Sequence, residues 1–496
     1  MSLPDDSSSA GELLKLRRAK VDQWRSRGND PFGTAFPDSK LALSVINSYE
    51  EDKPVKVAGR LVSIRDMGKS VFAHILDQSG RIQLYAQKNV LGEEVFGQWK
   101  LLDLGDWVGA EGTLFTTKSG EKSIRVSSLM LLSKTLRPIP SEWYGLADPE
   151  ARYRQRYLDL ISNPGVRDIL TKRSQIVREV RRFMEEHGFL EVETPMMQSI
   201  AGGAAARPFQ THHNALGLDL YLRIAPELYL KRLLVGGFEK VFEVNRNFRN
   251  EGISRKHNPE FTMMEAYWAY ADFDKMASLV ESLITTVAER VFDTLAVGAR
   301  DSDPANNLPG REAIDLTPPW PRVRYRDVVR EAAGADWFEL TPEDRRARCA
   351  ELGVEISPAM QDFEVTNQVF EKLVEARTLK PVFITHLPKE LVPLAKQNAE
   401  DPSVVDVFEL IINGQEISPG YTELNDPIIQ RERLLEQAGE ETQLIDEDFL
   451  TALEYGMPPA GGIGIGIDRL VMLLTGAESI RDVILFPLMR PVSKDK

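Results

Sequence analysis

The sequence has 496 residues, of which 42% are hydrophobic and 27% are charged, and its formal net charge is −14 at pH 7. This length exceeds one ordinary hydrophobic core, so we expect a globular protein of two or three domains. The acidic charge excludes an evenly basic nucleic-acid-binding surface, and no run of about 20 apolar residues suggests a membrane span. Cys349 is the only cysteine and no secretory signal opens the sequence, so we expect a cytoplasmic protein without disulfides.

A basic helix is predicted within residues 1–48. Residues 11–27 read GELLKLRRAKVDQWRSR and carry six Lys or Arg residues against two acids. Leu16, Val21 and Trp24 recur near helical spacing, which is typical of an amphipathic helix. Two interpretations stay open, namely a local patch for RNA and a solvated helix that packs on the protein body.

Short alternating strands follow between residues 53 and 134, in the order VKVAGRLVSIRD, SVFAHILD, RIQLYAQK, DWVGAEGTLFTT and SIRVSSLMLLS. Turn pairs such as Met67-Gly68 separate them. A helix-like segment, VLGEEVFGQWKLL, precedes the fourth strand. This pattern predicts a closed barrel of the OB type over residues 49–135, followed by a proline-containing linker at 136–150.

Long helical periods alternate with strands from residue 151 onward, and no second break of comparable strength follows. This texture predicts one large α+β domain over residues 151–496. Residues 297–321 are rich in Gly, Pro, Asp and Asn, and a helical run follows them. We therefore expect a helical insertion at about 290–377 within the large domain.

The most informative stretch, residues 239–270, reads EKVFEVNRNFRNEGISRKHNPEFTMMEAYWAY, in which two strand-like runs flank a highly charged loop. Arg249 has a planar guanidinium that can grip a carboxylate or a phosphate at two points. Lys256 and His257 are placed to meet a triphosphate tail, and Phe261 is placed to stack on a base. Each charge alone also fits a solvated hairpin tip, but the density of the whole loop favours an anion site.

A glycine-rich stretch that begins at Gly461 reads GGIGIGIDRLVMLL and becomes helical after its glycines. Because glycine has no side chain, a ligand can lie directly against the backbone at the glycine positions of a strand. Arg469, at the predicted junction of strand and helix, would present a fixed positive charge to that ligand. The stretch lacks both the G-x-x-x-x-G-K-[ST] pattern and the G-x-G-x-x-G pattern with its later acid, which excludes P-loop kinase and Rossmann interpretations.

A third stretch, Gly188 to Pro195, follows a long helix predicted from about residue 166, and it is either structural or packs against a second subunit. In this order the three stretches resemble motifs 1, 2 and 3 of the class II aminoacyl-tRNA synthetases. The segments FRNEGISRKHNPEFTMMEAYWAYAD, GIGIGIDRLVMLLT and IRDVILFPLMRP are similar to bacterial lysyl-tRNA synthetases in particular. The resemblance extends from the barrel to residue 491.

The resemblance implies an α+β fold, in which an N-terminal OB-fold β-barrel binds the anticodon and the catalytic domain is an antiparallel sheet flanked by helices. It implies lysine–tRNA ligase activity, in which ATP and L-lysine give lysyl-adenylate and pyrophosphate before the lysyl group is transferred to tRNA(Lys). It also implies that Mg²⁺ accompanies ATP and that the working unit is a homodimer.

The resemblance further assigns residues to sites, with Arg249 and Arg469 as the catalytic side chains. The implied ATP site comprises Arg249, Glu251, His257, Phe261, Glu409 and Arg469. The implied lysine site comprises Gly203, Glu227, Arg249, Glu265, Tyr267, Tyr421, Glu423 and Gly464. Glu409 and Glu416 match the magnesium ligands, although their spacing is also common between exposed acids. Arg65, Phe72 and Gln83 match the anticodon readers, with a barrel-core position as the alternative for Phe72.

Three carboxylates of the implied lysine site, Glu227, Glu265 and Glu423, have no partner that the sequence reveals. The resemblance implies that Glu227 takes the α-amino group and that Glu423 and Tyr267 take the ε-ammonium, with Glu265 close by. Buried acids that lack a cation would reject neutral amino acids of similar length. Each acid is also compatible with an ion pair to a structural arginine.

This chain departs from the bacterial pattern at Pro419, where that pattern often has Asn. Proline has no side-chain amide, so the amide contact to the lysine carboxylate is absent or replaced.

Three alternatives share parts of the pattern. An aspartyl or asparaginyl enzyme would need Arg or Lys where Glu423 stands. An RNA-binding protein that has lost catalysis would not need Arg249, Arg469, Glu409 and Glu416. A paralogue that attaches lysine to a protein typically lacks the N-terminal barrel that this sequence predicts.

Overall fold

The computed structural model describes residues 9–139, 146, 148–204, 206–300, 310–440 and 445–491. The chain divides into two compact units, Met1–Gly145 and Leu146–Lys496. Residues 140–145 of the expected linker and 301–309 of the expected insertion lie outside the described residues. Every helix of the described part is too short or too polar to cross a bilayer.

The first unit is built around a closed barrel. Its elements are α1 (Ser9–Ser26), α2 (Ala42–Asn47), β1 (Pro54–Asp66), β2 (Ser70–Leu76), β3 (Arg81–Gln87), α3 (Lys88–Gln98), a 3₁₀ turn (Trp99–Leu101), β4 (Trp107–Thr116) and β5 (Lys122–Ser133). The strands close in the order β1-β2-β3-β5-β4, and α3 precedes the fourth strand. The prediction of an OB-type barrel is therefore confirmed.

Strand β2 shows how the sequence closes the barrel. Val71, Ala73 and Ile75 are buried in the core, whereas Phe72 and His74 between them are half-buried. Because side chains alternate between the two faces of a strand, Phe72 and His74 lie on the outer face. Phe72 is therefore not a barrel-core residue.

Helix α1 packs on the barrel unit. Val21 and Trp24 are buried, as is Arg17. The Arg17 guanidinium donates hydrogen bonds to the backbone carbonyls of Thr135 and Arg137, both at 3.1 Å. These contacts support the interpretation of α1 as a helix that packs on the protein body, and its RNA interpretation stays a prediction.

The second unit is larger and mixes helices with strands. Its first half comprises α4 (Pro149–Arg154), α5 (Arg156–Ser162), α6 (Pro164–Glu186), β6 (Leu190–Glu191), β7 (Met197–Gln198), β8 (Gln210–His213), β9 (Leu218–Leu222), α7 (Glu227–Val235), β10 (Lys240–Phe248), β11 (Glu260–Ala269) and α8 (Phe273–Phe292). Its second half comprises β12 (Ala296–Val297), β13 (Ile314–Asp315), β14 (Arg322–Arg324), α9 (Tyr325–Ala333), a 3₁₀ turn (Trp337–Glu339), α10 (Pro342–Glu351), α11 (Asp362–Val369), a π-helical turn (Phe370–Val374), a 3₁₀ turn (Glu375–Arg377), β15 (Val382–Thr385), β16 (Val407–Ile412), β17 (Gln415–Thr422), α12 (Pro427–Glu440), α13 (Glu447–Glu454), β18 (Ala460–Gly466), α14 (Ile467–Thr475) and α15 (Ile480–Val483).

An eight-stranded sheet organises this unit, in the order β14-β15-β16-β17-β18-β11-β10-β6. Its pairs are antiparallel except for β14 with β15 and β6 with β10, which are parallel. Phe242 of β10 belongs to the core shared with α6, α8 and α14, whereas its neighbour Val241 belongs to the core shared with α7 and α13. Adjacent residues point to opposite faces, so helices flank both faces, and the α+β prediction is confirmed.

The span 290–377 differs in detail from the expected helical insertion. Helix α8 ends at Phe292, and β14 joins the edge of the large sheet beside β15. The helical part begins with α9 at Tyr325, and α9, α10 and α11 pack around Trp337 and Cys349. β14 has three residues, too few to show a period of two in the sequence, which is why the sequence alone missed it.

Candidate active site

A cavity of about 210 Å³ lies beside the loop that joins β10 to β11. The two strands are paired as far as Phe248 and Glu260, so the sheet fixes both ends of this loop. Its lining includes Arg249, Glu251, His257, Phe261, Glu416 and Arg469. The structure thus brings five of the six residues of the implied ATP site around one cavity.

Arg249 is a largely buried cation without an ion-pair partner among the described residues. Its guanidinium lies over the Phe261 ring, 5.2 Å from the ring centroid, and its Nε is buried without a hydrogen-bond partner in the part of the chain that the structure describes. Burial lowers the pKa of Arg249, and the nearby carboxylates of Glu251, Glu265 and Glu416 oppose that effect. An unpaired buried guanidinium is poised to bind an anion.

Arg469 lies in the first turn of α14 and meets the charged loop. Its Nη1 donates to the Glu416 carbonyl at 2.8 Å, and its Nη2 lies 3.3 Å from His257 Nε2. Burial, and then the positive charge of Arg469, lower the pKa of His257. His257 is therefore neutral at pH 7, so its ring can take part in hydrogen bonds without adding charge beside Arg469.

Glu409 and Glu416 lie on the neighbouring antiparallel strands β16 and β17. Burial raises the pKa of Glu409 well above its ordinary value, and the carboxylates of Glu416, Glu375 and Glu371 add to that effect. Glu371 and Glu375 come from the helical turns before β15, and no spacing in the sequence predicted their proximity. A cation bound here would relieve this excess of negative charge, so the residues fit a magnesium site.

The protein offers such an ion few ligands. Among the described residues, no group of three or more His, Cys, Asp or Glu side chains is arranged to hold a metal. Two carboxylates with the remaining ligands from phosphate oxygens and water is an arrangement that Mg²⁺ accepts.

A second group of side chains, from α7, β11 and the end of β17, is more deeply buried. Its three acidic residues are almost fully buried: Glu227 is 5% exposed, Glu265 is 6% exposed and Glu423 is 0% exposed. Tyr267 Oη donates to Glu265 Oε2 at 3.1 Å, and Tyr421 Oη donates to Glu227 Oε1 at 2.7 Å. The two tyrosines converge because both pair with Gly462 of β18 in the strand register.

The expectation that these carboxylates have no partner is wrong for two of them. Lys231, one turn after Glu227 on α7, is fully buried, and its Nζ lies 2.7 Å from Glu227 Oε1 and 2.5 Å from Glu423 Oε2. The approach to Glu423 lacks hydrogen-bond geometry, so neither Glu423 oxygen has a hydrogen-bond donor among the described residues. The spacing of four residues between Glu227 and Lys231 was the available signal for this missed residue.

Glycines bring the backbone close to these acids. A Cβ atom at Gly462 would collide with the carboxylate of Glu423 and would lie 2.8 Å from the Tyr267 ring. Gly203 has a φ of +88°, and a Cβ there would lie 3.2 Å from the Glu227 Cβ. The sequence pointed to Gly464, which faces Met263 and Pro419, but it did not single out Gly462.

Pro419 lies opposite Glu409 in the pairing of β16 with β17 and lines the same cavity as Arg249. Its ring provides no hydrogen-bond donor there. Arg249, which has no ion pair among the described residues, is a donor that can take the place of the asparagine amide in this part of the cavity.

On the barrel, Arg65 and Phe72 are paired across β1 and β2, and Arg65 is exposed. The Phe72 ring stacks on Tyr85 of β3, with ring centroids 4.6 Å apart. Gln83 shares the outer face with Tyr85, because the two residues are two positions apart on one strand. The three predicted anticodon readers therefore lie on one face of adjacent strands.

Gln83 is itself buried and held in place. Its Nε2 donates to Glu121 Oε2 at 2.8 Å, and its Oε1 accepts a hydrogen bond from Ser123 Oγ at 2.8 Å. A side-chain amide has two donors and two acceptor sites, so one of each remains for a base. Glu121, which the sequence did not single out, fixes the orientation of this amide.

We predict that Gly462→Ala impairs the implied lysine site and spares the implied ATP site. The new methyl group displaces the Glu423 carboxylate and the Tyr267 ring, and overpacking of this kind costs about 1–3 kcal/mol, or about 10- to 100-fold in kcat/KM for lysine. Lysine-dependent ATP–pyrophosphate exchange measures this change. Gly165→Ala is the matched control, since a Cβ there meets nothing within 4 Å. Equal activity of the two variants would contradict the prediction.

Comparison with known proteins matches both units. A family model described as tRNA synthetases class II (D, K and N) matches residues 148–490, and one described as an OB-fold nucleic acid binding domain matches residues 55–132. The lysine–tRNA ligase of Pelotomaculum thermopropionicum is 51% identical over 491 residues, covering 97% of this chain and 95% of the relative.

Two further relatives agree. The lysine–tRNA ligase of Carboxydothermus hydrogenoformans is 52% identical over 97% of this chain and 98% of its own length, and that of Bacillus subtilis is 49% identical over 97% of both chains. The chain therefore belongs to the class II tRNA synthetases of the D, K and N group, joined to an OB-fold nucleic-acid-binding domain.

Proposed function

We propose that this chain is a lysine–tRNA ligase, which activates L-lysine with ATP to give lysyl-adenylate and pyrophosphate and then transfers the lysyl group to the 3′ end of tRNA(Lys). One observation carries the choice of amino acid: Glu227, Glu265 and Glu423 are buried, and Lys231 contacts only the first and the last of them. The Nε atom of Arg249 is also buried and has no hydrogen-bond partner among the described residues. The names of relatives about half identical over nearly the whole chain support the same substrate.

Lysine has two ammonium groups for the acids of this pocket and one carboxylate for the arginine. Its α-ammonium group binds Glu227, and its ε-ammonium group binds Glu423 and Tyr267, with Glu265 close by. Its carboxylate binds Arg249, on which the negative charges of Glu251, Glu265 and Glu416 act. A neutral amino acid of similar length would leave Glu423 with Lys231 as its one ion-pair partner among the described residues. The lost charged hydrogen bond costs about 1.5–3 kcal/mol, or about 10- to 100-fold in affinity.

The first step needs no protein nucleophile and no protein base, because the lysine carboxylate attacks the α-phosphate of ATP and pyrophosphate leaves. Arg249 and Arg469 offset the charge that builds on the phosphoryl oxygens, and one such contact contributes about 3 kcal/mol to barrier lowering. Phe261 stacks on the adenine, Glu251 lies near its edge and His257 meets the terminal phosphates. Mg²⁺ held by Glu409 and Glu416 would supply further charge neutralisation at the phosphates.

In the second step a ribose hydroxyl of the terminal tRNA nucleotide attacks the lysyl-adenylate at the same site, and the adenylate phosphate accepts the proton. The barrel selects the tRNA. Phe72 stacks on an anticodon base, which is worth about 1–3 kcal/mol, and Arg65 and Gln83 read its edges. The presence of this barrel disfavours the paralogue that attaches lysine to a protein.

The proposed working unit is a homodimer. Leu190, Met196 and Met197, which follow α6 at the stretch that resembles motif 1, are about half exposed. Exposed apolar side chains close together in the sequence support a subunit contact. The proposed compartment is the cytoplasm, since Cys349 is a buried free thiol and the tRNA substrate is found there.

We predict that the wild-type chain exchanges pyrophosphate into ATP with lysine alone among the twenty amino acids, with Mg²⁺ present and tRNA absent. Glu423→Gln removes the charge that reads the ε-ammonium group, and a charged hydrogen bond is worth about 1.5–3 kcal/mol, so kcat/KM for lysine falls about 10- to 100-fold. Glu454→Gln, at an exposed position of α13, is the control. Exchange with aspartate or asparagine, or with no amino acid, would refute the proposed function.

We also predict that lysine binds more weakly as the pH falls from 8 to 6.5. Burial raises the pKa of Glu265 and of Glu423 to about 8, so both carboxyls of the free protein are mostly protonated below pH 8. Lysine binds their ionised forms, so binding releases protons and Kd rises by about tenfold per pH unit for each carboxyl that must ionise. Calorimetry across this range measures Kd, and a flat profile would contradict the prediction.

A further inference from the structure

Lys231 contacts two acids of the proposed lysine pocket. Its side chain is fully buried between Glu227 and Glu423, and its Nζ lies 5.7 Å from the centroid of the Tyr421 ring. Tyr421 in turn donates to the same Glu227 oxygen that Lys231 contacts. The pocket therefore contains a permanent ammonium group of the same chemistry as the end of the proposed substrate.

The charges of the pocket do not balance with Lys231 alone. Glu227, Glu265 and Glu423 are three buried acids, and Lys231 is the one buried lysine that pairs with any of them within the described residues. The charge of Arg249 also reaches Glu265, and in the proposed function Arg249 binds the substrate carboxylate. Fully ionised, the three acids therefore exceed Lys231 by two negative charges, and a diamino acid carries two ammonium groups.

The geometry also makes Lys231 a spacer. Glu227 lies one turn away from it on α7, and Glu423 lies at the end of β17. By contacting Oε1 of the first acid and Oε2 of the second, Lys231 fixes the position of α7 against the strand. Lys231 contacts Oε2 of Glu423, whereas Oε1 has no hydrogen-bond partner in the described part of the chain, so Oε1 can accept a hydrogen bond from a ligand.

We infer that Lys231 is a positioning and specificity-determining residue, a resident counter-ion that holds Glu227 and Glu423 apart and leaves the pocket short of two positive charges. This inference rests on the proposed function. A pocket of this kind selects an amino acid with two ammonium groups, because one ammonium group leaves a buried carboxylate uncompensated.

The titration of the pocket provides a readout that a purely structural role would not move. The charged and titratable groups that face Glu423 are Lys231, Glu227, Glu265, Tyr267 and Tyr421. Burial raises the pKa of Glu423, and the positive charge of Lys231 opposes that effect. Burial would lower the pKa of Lys231, but the carboxylates of Glu227 and Glu423 outweigh it and the pKa is raised. Removing Lys231 therefore raises the pKa of Glu423 further.

The test measures kcat/KM for lysine in ATP–pyrophosphate exchange from pH 6.5 to 9.5, with the full chain and without tRNA. We expect the acid limb of wild type near pH 8. Lys231→Met should move that limb to higher pH by about one unit or more and lower kcat/KM at pH 7 by about 10-fold or more, with recovery above pH 9. KM for ATP should stay within about threefold, since Lys231 does not line the ATP cavity.

The matched control is Lys134→Met. Lys134 is also fully buried and also contacts two carboxylates, Asp103 and Asp106, but it lies in the barrel unit. The acid limb of the kcat/KM profile of Lys134→Met should coincide with that of wild type. Lys231→Arg, which keeps the positive charge, should also keep the acid limb of wild type even where its KM for lysine changes.

The inference would be overturned if the kcat/KM profile of Lys231→Met kept the acid limb of wild type and activity fell equally at all pH values. The proposed function would remain intact in that case. If Lys231→Met does not fold, as judged by thermal unfolding and ATP binding, Lys231→Arg decides, and a shift of its acid limb by more than about one unit would overturn the inference. Absence of lysine-dependent exchange in wild type at every pH would instead refute the proposed function itself.

Discussion

Three acids, Glu227, Glu265 and Glu423, are buried together with Lys231, whose ammonium group contacts only the first and the last of them, and the proposed active site depends on this imbalance. Desolvation disfavours ionised carboxylates, and the raised pKa values of Glu265 and Glu423 are the direct expression of that cost. The free pocket is therefore held in an unfavourable electrostatic state by the surrounding fold. A ligand with two positive charges relieves it, which makes selectivity a consequence of burial.

The central strands of the large sheet bury these acids and determine which charged side chains lie near them. β11, β17 and β18 are adjacent, and Gly462 lets acid and aromatic side chains lie directly against the backbone. β17 also carries Glu416, its neighbour β16 carries Glu409, and α14, which follows β18, carries Arg469. In the proposed function, the ammonium groups of lysine lie in the acidic pocket and its carboxylate lies beside Arg249, towards the phosphates of ATP.

Patterns that repeat along the chain could be predicted from the sequence, because each strand or helix carries its own periodicity. The barrel follows from such local signals, and the charged loop with Arg249 and His257 stands out as a dense run of charges. The sheet flanked by helices, and the placing of Arg469 in the same site as this loop, were implied by the family resemblance. Lys231 and Gly462 are different, since their roles depend on which strands become neighbours. The strand β14 was not predicted for another reason, because an element of three residues is too short to show a periodicity in the sequence.

The central claim is that the pocket requires two ammonium groups, and calorimetric titration of the wild-type chain with three ligands tests it most directly. L-lysine carries both groups, norleucine lacks the ε-ammonium group and 6-aminohexanoic acid lacks the α-ammonium group. We predict that lysine binds about 100-fold more tightly than either analogue at pH 8, because each analogue leaves a buried carboxylate without its cation. Binding of norleucine within about threefold of lysine would contradict the account, since the buried acids would then not select the substrate.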